Sequence, residues 1–250
     1  MKMNSARALL SLMLLGLTLV LCSCGAGTLM SVDPLTDADN DEIVNIGDSI
    51  YALSGDIYTN LESKAGETWR HYAISGAQIV GGILADPIPD QYDTAKGDDD
   101  NIRIVYMDGG GNDILIPAIM FDPYSCKNCN YWWCGNLSQS CKDLIDDVYV
   151  ETVDLLNQMD ADGVEKVVFL GYYHLKWGLL GDLTKLDDAV DYGDKRLKEA
   201  CINSTANAVF VDPRASFAGK ESSYIIADGI HPTAQGSAVL ANLIWNNMGL

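Results

Sequence analysis

Three short segments of this chain hold residue types that can do chemistry together. Gly47-Asp48-Ser49 offers a hydroxyl, Gly109-Gly110-Gly111-Asn112-Asp113 a side-chain amide beside permissive backbone, and Asp228-Gly229-Ile230-His231-Pro232 a carboxylate and an imidazole. Cleaving an ester with a serine requires a base for the hydroxyl proton, a group that orients the base, and donors aimed at the oxyanion. Each role has a candidate. Ser49 reads as the nucleophile, His231 as the general base, and Asp228 as the group that fixes its tautomer and stabilises the imidazolium. The spacing from Asp228 to His231 is about one helical turn, so the carboxylate can bond one ring nitrogen while the other faces Ser49. His71 and His174 have no Asp at that spacing and read as structural or rim residues.

Elements must then bring these distant segments together. From Glu42 onward, short apolar runs alternate with longer amphipathic ones, the pattern of strand and helix units in a parallel sheet. Strands are expected at Glu42–Gly47, Trp69–Ile74, Ile102–Met107, Val164–Leu170 and Ala208–Val211, enough for one open five-stranded sheet. Helices are expected at Ile50–Ala65, Ser140–Met159, Leu186–Asn203 and Thr233–Met248. The serine segment follows the first strand, the asparagine segment follows the third, and the histidine segment precedes the last helix. Loops at the carboxyl ends of parallel strands converge on one edge, so the three can meet there.

Each motif alone is a common turn or helix entry; their conjunction in this order is what carries weight. Gly47-Asp48-Ser49, Gly76 within Ser75-Gly76-Ala77, Gly111-Asn112-Asp113 and Asp228-Gly-Ile-His231-Pro232 resemble the four sequence blocks of the SGNH/GDSL hydrolase family. The resemblance implies a three-layer, flavodoxin-like α/β/α fold around a central parallel sheet. It also implies an oxyanion hole formed by the N–H groups of Ser49 and Gly76 and the side-chain amide of Asn112. An α/β-hydrolase nucleophile elbow would need glycine two residues either side of the serine; Ile50-Tyr51 follows Ser49, so that pattern fails. The activity implied is carboxylic ester hydrolysis through an acyl-enzyme, on a small-molecule or lipid-like ester. A carbohydrate O-deacetylase of the same fold and a non-catalytic surface binding lipoprotein are the alternatives. Tyr131, Trp132, Trp133, Tyr172 and Tyr173 are candidate substrate-binding aromatics, able to hold an acyl chain, an aryl ester or a sugar ring. No cofactor and no metal are indicated.

The beginning of the chain differs in kind. Lys2 and Arg7 precede an apolar run from Ala8 to Leu21, the layout of an export signal over residues 1–23. Leu21-Cys22-Ser23-Cys24-Gly25 resembles a bacterial lipobox, with Cys24 as the lipidated residue that would anchor the protein to a membrane, outer membrane or cell surface. An ordinary cleaved signal is the alternative. Residues 24–41 read as a solvated acidic tether and 42–250 as the hydrolase domain, with a cysteine-rich insertion at about 121–141. Among Cys126, Cys129, Cys134 and Cys141 three disulfide pairings are possible, and a four-thiolate zinc site is the other reading. Cys201 reads as a buried thiol. The formal charge of −19 becomes −21 once Lys2 and Arg7 leave with the signal, which argues against nucleic acid as a partner.

Overall fold

The structure is a computed structural model that describes residues 32–82, 84–127 and 137–250. Its centre is a five-stranded parallel sheet of β1 (Asn40–Ile46), β2 (Trp69–His71), β3 (Ile104–Met107), β4 (Lys166–Leu170) and β5 (Ala208–Val211). The spatial order is β2-β1-β3-β4-β5, the flavodoxin-like order. Among the described residues the helices around it include α1 (Ser49–Ala52), α2 (Asp56–Ala65), α3 (Ile88–Asp98), α4 (Gly111–Met120), α5 (Gln139–Ala161), α6 (Asp187–Asn203) and α7 (Ala234–Met248).

Strands buried on both faces read as continuous apolar runs, and their alternation sorts the side chains into two cores. Ile43, Tyr106, Val168, Leu170 and Val211 face α2 and α7, packing with Leu61, Leu240 and Ile244. Val44, Val105, Met107, Val167 and Phe169 face the other way, against Tyr92 of α3, Leu155 and Met159 of α5, and Leu197 of α6. The result is a three-layer α/β/α sandwich.

All five strands lie where apolar runs were expected, within a few residues at each end. The helices depart more. The expected helix at Ile50–Ala65 is two, because Ser54 and Gly55 take left-handed conformations (φ 72° and 69°) that break it. The helices α3 and α4 have no counterpart in the sequence reading: prolines stand at the start of α3, and Pro117 lies inside α4. The expected tether over 24–41 is corrected in its later part. The Val32 N–H donates to Ala52 O at 2.8 Å, Val32 packs on the core, and Leu35 exchanges two backbone hydrogen bonds with His71. Two apolar side chains in a polar segment had a surface to cover.

Cys126 and Cys141 form a disulfide, which joins the end of the α4 connection to the first turn of α5. With those two sulfurs paired, the four-thiolate zinc alternative is not formed. Cys201 is buried and free, and burial pushes its thiol up to about 12. The export segment, Cys24, Cys129, Cys134, Tyr131, Trp132 and Trp133 lie outside the described residues.

Candidate active site

Ser49 opens α1 directly beyond the carboxyl end of β1. Asp48 caps that helix, its Oδ1 accepting the Ile50 N–H at 2.9 Å. The turn between strand and serine is held from several sides. Gly47 exchanges two hydrogen bonds with the Gln91 amide (2.8 and 3.0 Å), and its O accepts the Ile74 N–H at 3.1 Å. Its φ is 147°, and a Cβ there would fall 2.0 Å from Asp108 Oδ1. Glycine is therefore required by conformation and by space.

Beneath the serine lies a knot of polar groups. The Asp48 N–H donates to Asp108 Oδ1 at 2.8 Å, and Tyr172 Oη donates to Asp48 Oδ2 at 2.8 Å while accepting the Gly111 N–H at 3.1 Å. Asp108 is fully buried; that burial, with the Asp48 charge alongside, holds its carboxyl well above the usual carboxylate range. Tyr172 ties the serine turn to the first turn of α4. Neither Asp108 nor Gln91 was singled out in the sequence; an Asp followed by glycines at a strand end was the available signal for the first.

His231 arrives from the loop before α7. Its Nδ1 lies 2.5 Å from Asp228 Oδ2, and its Nε2 lies 2.9 Å from Ser49 Oγ. With Nδ1–H donating to the carboxylate, Nε2 is the acceptor for the serine hydroxyl. Asp228 Oδ1 accepts the N–H groups of Ile230 (2.8 Å) and His231 (3.0 Å). Burial pulls the Asp228 carboxyl upward, but the imidazole bond, the imidazolium charge and these N–H groups outweigh it and leave it below the ordinary range. A two-stranded hairpin (Trp177–Gly178 with Gly181–Asp182), absent from the sequence reading, backs this loop. A Cβ on Gly178 would sit 2.4 Å from Asp228 backbone, and Gly229 has φ 91°.

Asn112, in the first turn of α4, donates one amide proton to Ala77 O at 3.0 Å, and among the described residues the second makes no hydrogen bond. Asp113 beside it accepts the N–H groups of Ile79 (2.9 Å) and Val80 (2.8 Å). These bonds clamp the Gly76 loop to α4, and Gly76 itself has φ 87°. Among the described residues, the Ser49 and Gly76 N–H groups make no backbone hydrogen bond. Burial raises Asp113 to about 7 against the pull of those N–H groups.

Ser49, Asn112, Asp228 and His231 are all buried. Tyr172 and Tyr173 border an apolar cavity that begins at Ser49 and Asn112, but their hydroxyls are spent inside the protein. Tyr173 is 3% exposed, stacks on Phe217 at 4.1 Å, and donates to Ile230 O at 2.6 Å. Both rings border the cavity, and both hydroxyls hold protein groups in position. His71 bonds Glu62 and stacks on Tyr58, and His174 pairs with Asp191 at the surface.

No family model matches the chain, and no curated protein matches it in sequence. Solved structures do. A protein from Slackia heliotrinireducens assigned to the SGNH hydrolases superposes with a TM-score of 0.56 at 18% identity, over 83% of this chain and 98% of that one. An acetyl-xylooligosaccharide esterase from Geobacillus, in mutant form, gives 0.55 at 16% identity over 86% and 97%. An extracellular lipase from Streptomyces rimosus gives 0.53 at 20% identity over 82% and 98%. The chain has the SGNH hydrolase fold.

Removing the Tyr172 hydroxyl strands a buried Asp48 oxygen and the Gly111 N–H together. Tyr172→Phe is expected to cost about 1–3 kcal/mol in urea unfolding; a loss below about 0.5 kcal/mol would show that the knot is not holding the turn. Asp194 is a second test of burial. Its Oδ1 accepts the Tyr172 N–H at 2.9 Å, and burial raises it to about 8. Its proton is held more tightly folded than unfolded, so its contribution to stability is full below its ordinary value of 3.8 and is lost as pH rises towards 8. Asp194→Asn keeps the acceptor without titrating, so it should gain stability relative to wild type between about pH 5 and 8. Parallel curves for the two proteins across that window would contradict the assignment.

Proposed function

We propose that this chain is an SGNH/GDSL-type carboxylic ester hydrolase working through an acyl-enzyme on Ser49. The observation that carries this reading is the unbroken chain Asp228 Oδ2–His231 Nδ1, His231 Nε2–Ser49 Oγ, at 2.5 and 2.9 Å. Ser49 Oγ attacks the ester carbonyl carbon as its proton passes to His231 Nε2. The new C–O bond turns the carbonyl oxygen into an oxyanion, with the Ser49 and Gly76 N–H groups and the spare Asn112 proton as its donors. Asp228 keeps the imidazolium oriented and compensated. Collapse of the tetrahedral adduct breaks the bond to the alcohol, which leaves with the proton from His231. A water molecule, deprotonated in turn by His231, attacks the acyl carbon; the second adduct collapses by breaking the bond to Ser49 Oγ, which takes the proton back from His231 as the carboxylic acid leaves.

We further propose that the enzyme works outside the cytoplasm, held to a membrane by lipid on Cys24. Lys2, Arg7, the apolar run and the lipobox-like Leu21–Gly25 support this. The Cys126–Cys141 disulfide favours an oxidising compartment.

Ser49→Ala should abolish turnover of p-nitrophenyl acetate while leaving the thermal midpoint within a few degrees of wild type. Turnover at the wild-type rate would refute the mechanism. Asn112→Ala should lower kcat by about a hundredfold or more, as loss of an oxyanion donor does; a change of less than about threefold would remove Asn112 from the site.

A further inference from the structure

The cavity that starts at Ser49 and Asn112 continues between α4, α5 and α6, with a volume of about 80 Å³. Ile114 and Leu115 of α4, Ile145 and Val148 of α5, and Val190 and Leu197 of α6 line it. Three charged residues also border it, Asp48, whose carboxylate takes the Ile50 N–H and the Tyr172 hydroxyl, Asp194 and Arg196. Asp194 accepts the Tyr172 N–H and sits 3.4 Å from Arg214 Nε, while Arg196 pairs with Asp146 at 2.7 Å and lies 3.8 Å over the Tyr149 ring. A sugar ring entering here would meet mostly aliphatic side chains and leave most of its hydroxyls unpaired, whereas a hydrocarbon chain would lose only water. Three glycines stand on the wall, and a Cβ would clash at Gly110 (2.7 Å from Val148) and Gly111 (2.6 Å from Tyr172). Gly193, in the middle of α6, borders the cavity, and a Cβ there would meet nothing within 4 Å. Its φ carries no left-handed constraint, so neither conformation nor crowding requires glycine.

We propose that this cavity receives the linear aliphatic acyl chain of the ester, and that Gly193 sets how long a chain it takes by leaving the space beside Val190 and Leu197 unfilled. The inference rests on the ester hydrolase reading and names its acyl class. The carbonyl carbon must lie at Ser49 Oγ with its oxygen towards Asn112, so a chain attached to that carbon starts at the cavity's polar end. Each methylene then adds apolar burial worth about three- to fourfold in kcat/KM until the space is filled.

The test uses p-nitrophenyl esters of acetate, butyrate, hexanoate, octanoate and laurate, which share one leaving group, with the full chain and its Gly193→Leu and Gly193→Ala variants. Wild type should prefer octanoate to acetate by at least tenfold in kcat/KM. In Gly193→Leu that ratio should collapse by tenfold or more. Gly193→Ala, which a helix accepts readily, should lower it by about two- to fourfold, covering the case in which the leucine variant fails to fold. A wild-type ratio at or below one, a ratio unchanged in both variants, or a stronger dependence on alcohol length in a series of acetate esters would overturn the proposal. Turnover of every ester no faster than by Ser49→Ala would instead overturn the hydrolase reading beneath it.

Discussion

The hydrogen bond between Ser49 Oγ and His231 Nε2 joins residues 182 positions apart, so the domain has to be folded from its first strand to its last helix before that bond can exist. The sheet makes the meeting possible. Strand order 2-1-3-4-5 reverses direction between β1 and β3, and the loops leaving those two strands open a crevice at their carboxyl ends. Ser49 leaves β1 into that crevice and Asn112 leaves β3 into it. His231 comes from the far end of the chain, carried by a loop whose shape depends on Asp228 accepting two backbone N–H groups.

Everything else around the site limits the freedom of those few atoms. A serine on a short helix would swing if only the strand held it. Here Gly47 is gripped by Gln91, the Asp48 N–H by Asp108, and the Asp48 carboxylate by Tyr172, which also takes the Gly111 N–H. One phenol thus ties the turn that carries Ser49 to the helix that carries Asn112. On the other side, Asn112 and Asp113 bind the loop that carries Gly76. Such buried polar networks are costly when incomplete and rigid when complete. Rigidity is what a site built on differential stabilisation of a transition state requires.

The strands were legible in the sequence because parallel strands buried on both faces leave unbroken apolar runs, as IVYM and KVVFL do. The helices α3 and α4 were not, since α3 starts among prolines and carries few apolar residues, and α4 is entered through three glycines and contains Pro117. Tertiary packing overrides propensity in both. Ser49, Asn112, Asp228 and His231 could be picked out because the proposed chemistry demands particular residue types in a particular order. Asp108 and Gln91 could not, because their partners are set by a three-dimensional neighbourhood that no spacing announces. Tyr172 was legible as an aromatic at the sheet edge, and it does border the cavity, but the inward bonds of its hydroxyl were not legible. The Cys126–Cys141 pairing was likewise one of several that the spacing allowed.

The account stands on Ser49 being a nucleophile activated through His231. The most direct measurement is reaction of the intact protein with a fluorophosphonate probe, followed by mass analysis of the modified peptide. The account predicts one adduct, on Ser49, whose rate of formation falls by orders of magnitude in His231→Gln. An adduct on another residue, no adduct at all, or equal labelling rates in the two proteins would contradict it.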